Sequence, residues 1–196
     1  MIKNKKVLRE IRGWIVSIVG AIIIASVVNS RVLAKVQVEQ ISMQNTLKDG
    51  QQLILDKLSY NFSHPKRGDI IVFLDGEEKG TIMEDTINIL RLISGKINSQ
   101  KRLVKRVIGE PGDEVNIKDG YVYINGEKID ESYVKGTTNN GDLKLPIKVL
   151  ENQLFVLGDN REFSKDSREF GLINYNQVEG KAIFRIYPFN EIGSIN

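Results

Sequence analysis

Cysteine is absent from this 196-residue chain, which excludes disulfides, thiolate metal sites and a cysteine nucleophile. Histidine is nearly absent. His64 is the only one, so a histidine-rich metal centre is excluded and a catalytic dyad must be built from other groups. Charge of one sign is also lacking: the net charge is +3, too mild to argue for a nucleic-acid partner. Proline is scarce. Pro65, Pro111, Pro146 and Pro188 all fall at the margins of strand patterns or in loops, where a missing N–H does no harm. What remains is foldable, with 41% hydrophobic and 27% charged residues, and the length fits one ordinary domain plus an appendage.

The appendage is N-terminal. Residues 1–12 form a basic tail carrying Lys3, Lys5, Lys6, Arg9 and Arg12 against Glu10. Gly13 to Ser30 holds no charge and is mostly apolar, including Ile22-Ile23-Ile24 and Val27-Val28. As a helix this run spans roughly 27 Å, slightly short of a ~30 Å hydrocarbon core. Arg12 and Arg31 can snorkel at its two ends. The expectation is a single-pass anchor over 13–31 in a lipid bilayer, with the basic tail cytoplasmic and residues 32–196 outside the cell. The competing readings are a cleaved signal peptide and a buried core helix. The first lacks an A-x-A site, for which Arg31-Val32-Leu33-Ala34 is a poor substitute.

Residues 32–196 read as mainly β. Val36 and Val38 alternate with Lys35, Gln37 and Glu39, and the strand is expected over Val36–Ile41. Further strands are expected at Gln52–Asp56, Asp69–Phe73, Leu103–Ile108, Val115–Ile117, Tyr121–Ile124, Leu154–Leu157 and Ala182–Tyr187. Asp119-Gly120 and Asn125-Gly126 supply the positive φ angles of two-residue hairpins, so Glu114–Ile129 forms a small meander. One segment differs: inside an insertion at about 75–101, Thr81-Ile82-Met83-Glu84 is a capping box, followed by helical spacing and a stop at Gly95. The helix expected over 81–95 is apolar nearly all round, which calls for burial on more than one side or a lipid interface.

Four stretches carry chemistry: Ser42-Met43-Gln44-Asn45-Thr46-Leu47, Lys66 to Phe73, Val104 to Asp113, and Gly158 to Arg168. A serine after a strand is a nucleophile only if a base activates it; otherwise it is a turn residue. Without a usable histidine, lysine is the remaining base. Leu103, Lys105 and Val107 share one face of an alternating strand, and a lysine on an apolar face loses its proton easily. If the register slips, Lys105 points to water instead. Of the neighbours Lys105 and Arg106, only one is expected to face inward.

In this order and after such an N-terminus, the four stretches resemble the type I signal peptidases. These are membrane-anchored Ser/Lys proteases that remove signal peptides from exported proteins. The Gly158-Asp159-Asn160-Arg161…Ser164…Asp166-Ser167-Arg168 pattern is the most specific part, and Tyr187 to Glu191 resembles Gram-positive members. The resemblance implies a signal-peptidase-like β-scaffold, with Ser42 as nucleophile and Lys105 as general base. Ser164 would hold the lysine amine. Asp166 and Arg168 would form a structural ion pair, and Arg106 and Asp159 would support the site. The oxyanion would be held by the Ser42 N–H and a neighbouring donor such as the Gln40 amide.

A substrate groove is expected beside Val38, Ile41, Met43, Leu103 and Val104, taking an extended peptide as an added strand. The partners implied are preprotein signal peptides and the bilayer, with no cofactor, metal or nucleic acid. Three positions depart from the family pattern. Asn45 stands where proline is usual, and Gln40 and Ile41 stand where small residues are usual. These departures admit a specialised enzyme for pilin or another surface subunit, or a non-catalytic assembly factor on the same scaffold. A soluble Ser/Lys autoprotease is a further alternative. Ser132-Tyr133-Val134-Lys135 matches S-x-x-K, but the S-D-N and K-T-G partners of that signature are missing. His64, beside Pro65, reads as a surface turn residue, and the Asp159, Glu162 and Asp166 carboxylates lack calcium-loop spacing.

Overall fold

Segments with an apolar face to bury become strands, and tight turns at Asp119-Gly120 and Asn125-Gly126 set two of the antiparallel pairings, while the others join strands farther apart in sequence. The computed structural model describes residues 2–76 and 101–195. The helix expected over 81–95, with most of its 75–101 insertion, lies outside the described residues.

The chain opens with α1 (Ile2–Arg31) and enters β1 (Leu33–Gln37). β1 pairs with β2 (Gln52–Asp56), and β2 pairs with the long β11 (Val178–Tyr187). The sheet continues through β3 (Ile70–Leu74), β4 (Arg102–Gly109), β9 (Gln153–Leu157) and β10 (Ile173–Asn174), while β12 (Gly193–Ser194) pairs with β11. A second sheet runs β7 (Glu127–Lys128), β6 (Tyr121–Ile124), β5 (Glu114–Lys118), β8 (Ile147–Lys148). The mainly β expectation therefore holds among the described residues. Both hairpin dipeptides take left-handed angles, with φ of 51° and 82° at Asp119-Gly120 and 54° and 86° at Asn125-Gly126.

Three differences from the sequence reading follow from tertiary packing. The first strand ends at Gln37, not Ile41, because Ile41–Met43 turns into a short 3-10 helix, which Gln40 enters in extended backbone. Lys105 and Arg106 are both buried, at 0% and 3% exposure. The expectation that only one could face inward fails because β4 is covered on both faces. Leu103 and Val107 pack with Ile71, Phe73 and Val156, while Val104 packs on Val38, Met43 and Val72. The third concerns α1. It is helical through the basic tail as well as over 13–31, and Trp14 (72% exposed) and Val16 (64%) do not pack on the β-domain. A buried core helix is thereby excluded. Among the described residues no helix is long and apolar enough to cross a membrane, so the expected N-terminal transmembrane helix is not found there.

Candidate active site

Ser42 sits in the 3-10 turn and is buried. Its carbonyl accepts from the Asn160 N–H at 3.0 Å, and the Ile41 carbonyl accepts from Asn160 Nδ2 at 3.1 Å. The turn is thus pinned by one asparagine from a segment distant in sequence. Asn160 lies in the fourth chemical stretch, yet sequence reasoning assigned it no role. Its signal was only its place between Asp159 and Arg161.

β4 delivers Lys105 to this turn. The β3–β4 register sets Ile71 opposite Lys105, and the lysine Nζ lies 2.8 Å from Ser42 Oγ. The amine also donates to the Val104 carbonyl at 2.9 Å. Burial pushes its pKa down to about 8, because an ammonium loses its water there. Asp166, Asp159 and Asp75 pull in the opposite direction, and Lys101 adds slightly to the lowering.

Ser164 Oγ is buried without a hydrogen-bond partner among the described residues. The bond from Lys105 to Ser164 that the resemblance implies is therefore not formed here. Gly158 explains how close this part of the site is. A Cβ built on it would lie 2.1 Å from Ser164 Oγ and 2.5 Å from the Ser42 carbonyl oxygen.

Two buried ion pairs frame the dyad. Arg106 donates Nε to Asp159 Oδ1 at 2.9 Å and Nη2 to Asp159 Oδ2 at 2.8 Å, and Thr46 Oγ1 donates to the same carboxylate at 2.5 Å. Arg168 donates Nε to Asp166 Oδ1 at 2.8 Å and Nη2 to Oδ2 at 2.9 Å, while Asp166 also accepts from the Gly158 N–H at 3.0 Å. Asp166 caps the one-turn helix α2 (Ser167–Phe170). Both carboxylates are spent on guanidinium groups. Among the described residues no cluster of three acidic or histidine side chains could hold a metal ion. His64 is exposed and stacks on Tyr175, far from this chemistry in role.

A groove of about 740 Å³ leads to Ser42, lined by Val36, Val38, Gln40, Met43 and Val104. A second hollow of about 410 Å³ also borders Ser42 and is lined by Ile41, Leu103 and Phe163. The five groove residues read from the sequence therefore all border these two hollows, and Gln40 borders both.

The family described as "Signal peptidase, peptidase S26" matches residues 11–187. A signal peptidase I of Bacillus licheniformis is 36% identical, over 96% of this chain and 94% of that one. A signal peptidase IB of Staphylococcus aureus strain COL is 34% identical, over 93% of each. A crystal structure of a signal peptidase I from Enterococcus faecalis V583 matches with a TM-score of 0.43 and 31% identity, over 61% of this chain and 97% of that one. With the sequence match running through all four chemical stretches, the chain belongs to the signal peptidase family, peptidase S26.

Proposed function

We propose that this protein is a membrane-anchored serine endopeptidase that removes N-terminal signal peptides from exported preproteins. The observation that carries the reading is the 2.8 Å contact between a fully buried lysine amine and a serine hydroxyl at the end of a groove. A lysine of ordinary pKa, ~10.4, cannot accept a proton at neutral pH. One near 8 is unprotonated in a useful fraction of molecules.

Neutral Lys105 takes the Ser42 hydroxyl proton as Oγ attacks the scissile carbonyl. The tetrahedral oxyanion rests on the Ser42 N–H and the Gln40 amide. The ammonium returns its proton to the leaving amine, and an ester to Ser42 remains. The same lysine then deprotonates water, which hydrolyses the ester and frees the serine. The substrate lies extended between residues 34–41 and β4, with alternate side chains entering the two hollows.

The anchor reading rests on α1. A helix that leaves Trp14, Ile15, Val16 and Ile18 exposed needs an apolar surrounding that water does not supply. Its basic start favours a cytoplasmic N-terminus, with the β-domain on the outer side. The Ser42–Lys105 contact leaves the non-catalytic assembly factor without a supporting observation.

The test is cleavage of a preprotein by purified full-length chain, beside Ser42→Ala and Lys105→Ala, with mass spectrometry of the new N-terminus. Cleavage by the parent chain alone is expected. Full cleavage by either variant overturns the reading.

A further inference from the structure

Outside the four chemical stretches, one short segment touches three of them. It is Glu131–Lys135, which contains the S-x-x-K match that the sequence reading set aside. Asn45 Nδ2 donates to the Tyr133 carbonyl at 3.1 Å. Lys135 Nζ donates to Gln44 Oε1 at 3.0 Å. On the main chain, the Lys135 N–H donates to the Asp159 carbonyl at 2.8 Å and the Arg161 N–H donates to the Lys135 carbonyl at 2.9 Å. The segment is thus stitched between the nucleophile turn and the Asp159–Arg161 run.

Its side chains reach further. The Tyr133 ring lies under the Arg106 guanidinium, 3.9 Å from its carbon to the ring centroid. Arg106 is the group that grips Asp159, so the ring packs against the guanidinium of the buried pair. The Tyr133 hydroxyl donates to Glu131 Oε1 at 3.1 Å, and Glu131 in turn receives the buried Arg161 at 2.5 Å.

Asn45 makes the connection from a left-handed backbone. Gln44 (φ −58°, ψ 138°) and Asn45 (φ 103°) form the centre of a type II turn, closed by Thr46 N–H to the Met43 carbonyl at 3.1 Å. Proline is fixed near φ of about −65° and cannot occupy this backbone. Asparagine tolerates the left-handed angle and brings an amide that proline lacks.

We propose that Glu131–Lys135 is a strap that sets the position of the nucleophile turn, with Asn45 and Tyr133 as positioning residues for the Ser42–Lys105 reaction. Asn45 ties the turn to the strap, and Tyr133 seats Arg106 against Asp159. Neither touches the reacting atoms. The proposal rests on the proteolytic reading above.

The experiment uses full-length chain in detergent and a preprotein substrate. Asn45→Gly keeps the turn angle and loses only the amide. Tyr133→Phe keeps the ring, and Tyr133→Leu removes it. The expectation for Asn45→Gly is a kcat lowered roughly ten-fold, with KM within about two-fold, because small displacements of a nucleophile are costly. Tyr133→Phe should stay within about two-fold of the parent, while Tyr133→Leu falls like Asn45→Gly. Thermal midpoints are read in parallel. Unchanged kcat in both Asn45→Gly and Tyr133→Leu overturns the strap. So do losses that follow the thermal midpoint with no split between kcat and KM, or a Phe variant as poor as Leu. A parent chain that cuts nothing overturns the proteolytic reading itself and the strap with it.

Discussion

The Lys105 amine is held between the Ser42 hydroxyl at 2.8 Å and the Val104 carbonyl at 2.9 Å, with no exposed surface of its own. A charge in that position has lost its water. Its chemistry follows from that loss, and so does a cost in stability.

The pH dependence of cleavage has a definite sign. The base works only when unprotonated, and its pKa is pushed down to about 8. kcat/KM should therefore rise with pH through neutrality, roughly ten-fold per pH unit below the pKa, and level off above it. A pH–rate profile on one preprotein checks this; a rate already flat at pH 6 contradicts it.

The same shift acts on folding. The folded pKa lies below the unfolded one, so the unfolded chain binds more protons between about 8 and 10.5. Below that window the lysine opposes folding, and the opposition fades as pH rises through it. Replacing Lys105 by Met, of similar length and uncharged, should abolish cleavage yet stabilise the fold at pH 7 by up to roughly 3 kcal/mol. The difference should shrink towards pH 10 in urea titrations of the two proteins.

Gly158→Ala tests how tightly the site is closed. The new methyl would stand 2.5 Å from both Ser164 Cβ and the Ser42 carbonyl oxygen, and backbone cannot yield as a side-chain tip can. We expect a stability loss of about 1–3 kcal/mol and a fall in kcat on the order of 10²-fold. Calorimetry and kinetics on the same preparation measure both.

The Arg168–Asp166 pair predicts an asymmetry. Arg168→Met leaves a carboxylate buried with only the Gly158 and Arg168 backbone N–H groups as donors. The loss should be about 3–5 kcal/mol. Arg168→Met combined with Asp166→Asn should recover part of it, since no charge is then stranded. Denaturant midpoints of the two variants decide the order.

Asn45→Pro installs the residue usual in the family at this position. The backbone here holds φ at 103°, which the ring forbids. Lower thermal stability and lower activity than the parent are expected, with Asn45→Gly the more stable of the two. A proline variant equal to the parent would mean that the turn adapts.

Most of the strand pattern was legible in the chain because it is local. Alternation of apolar residues placed Gln52–Asp56 and Tyr121–Ile124 at their observed bounds, and Asp-Gly and Asn-Gly dipeptides fixed their hairpins by backbone sterics alone. The four stretches also pointed to Ser42 and Lys105 as the pair to look for. Their meeting across 63 residues of sequence depended on the β3–β4 register and on the turn that Asn160 pins. The burial of both Lys105 and Arg106 likewise needed a sheet covered on two faces, which no single strand's periodicity encodes. The same is true of Tyr133 under Arg106 and of the left-handed Asn45: local propensity allows many conformations at each, and only contacts from distant segments select one.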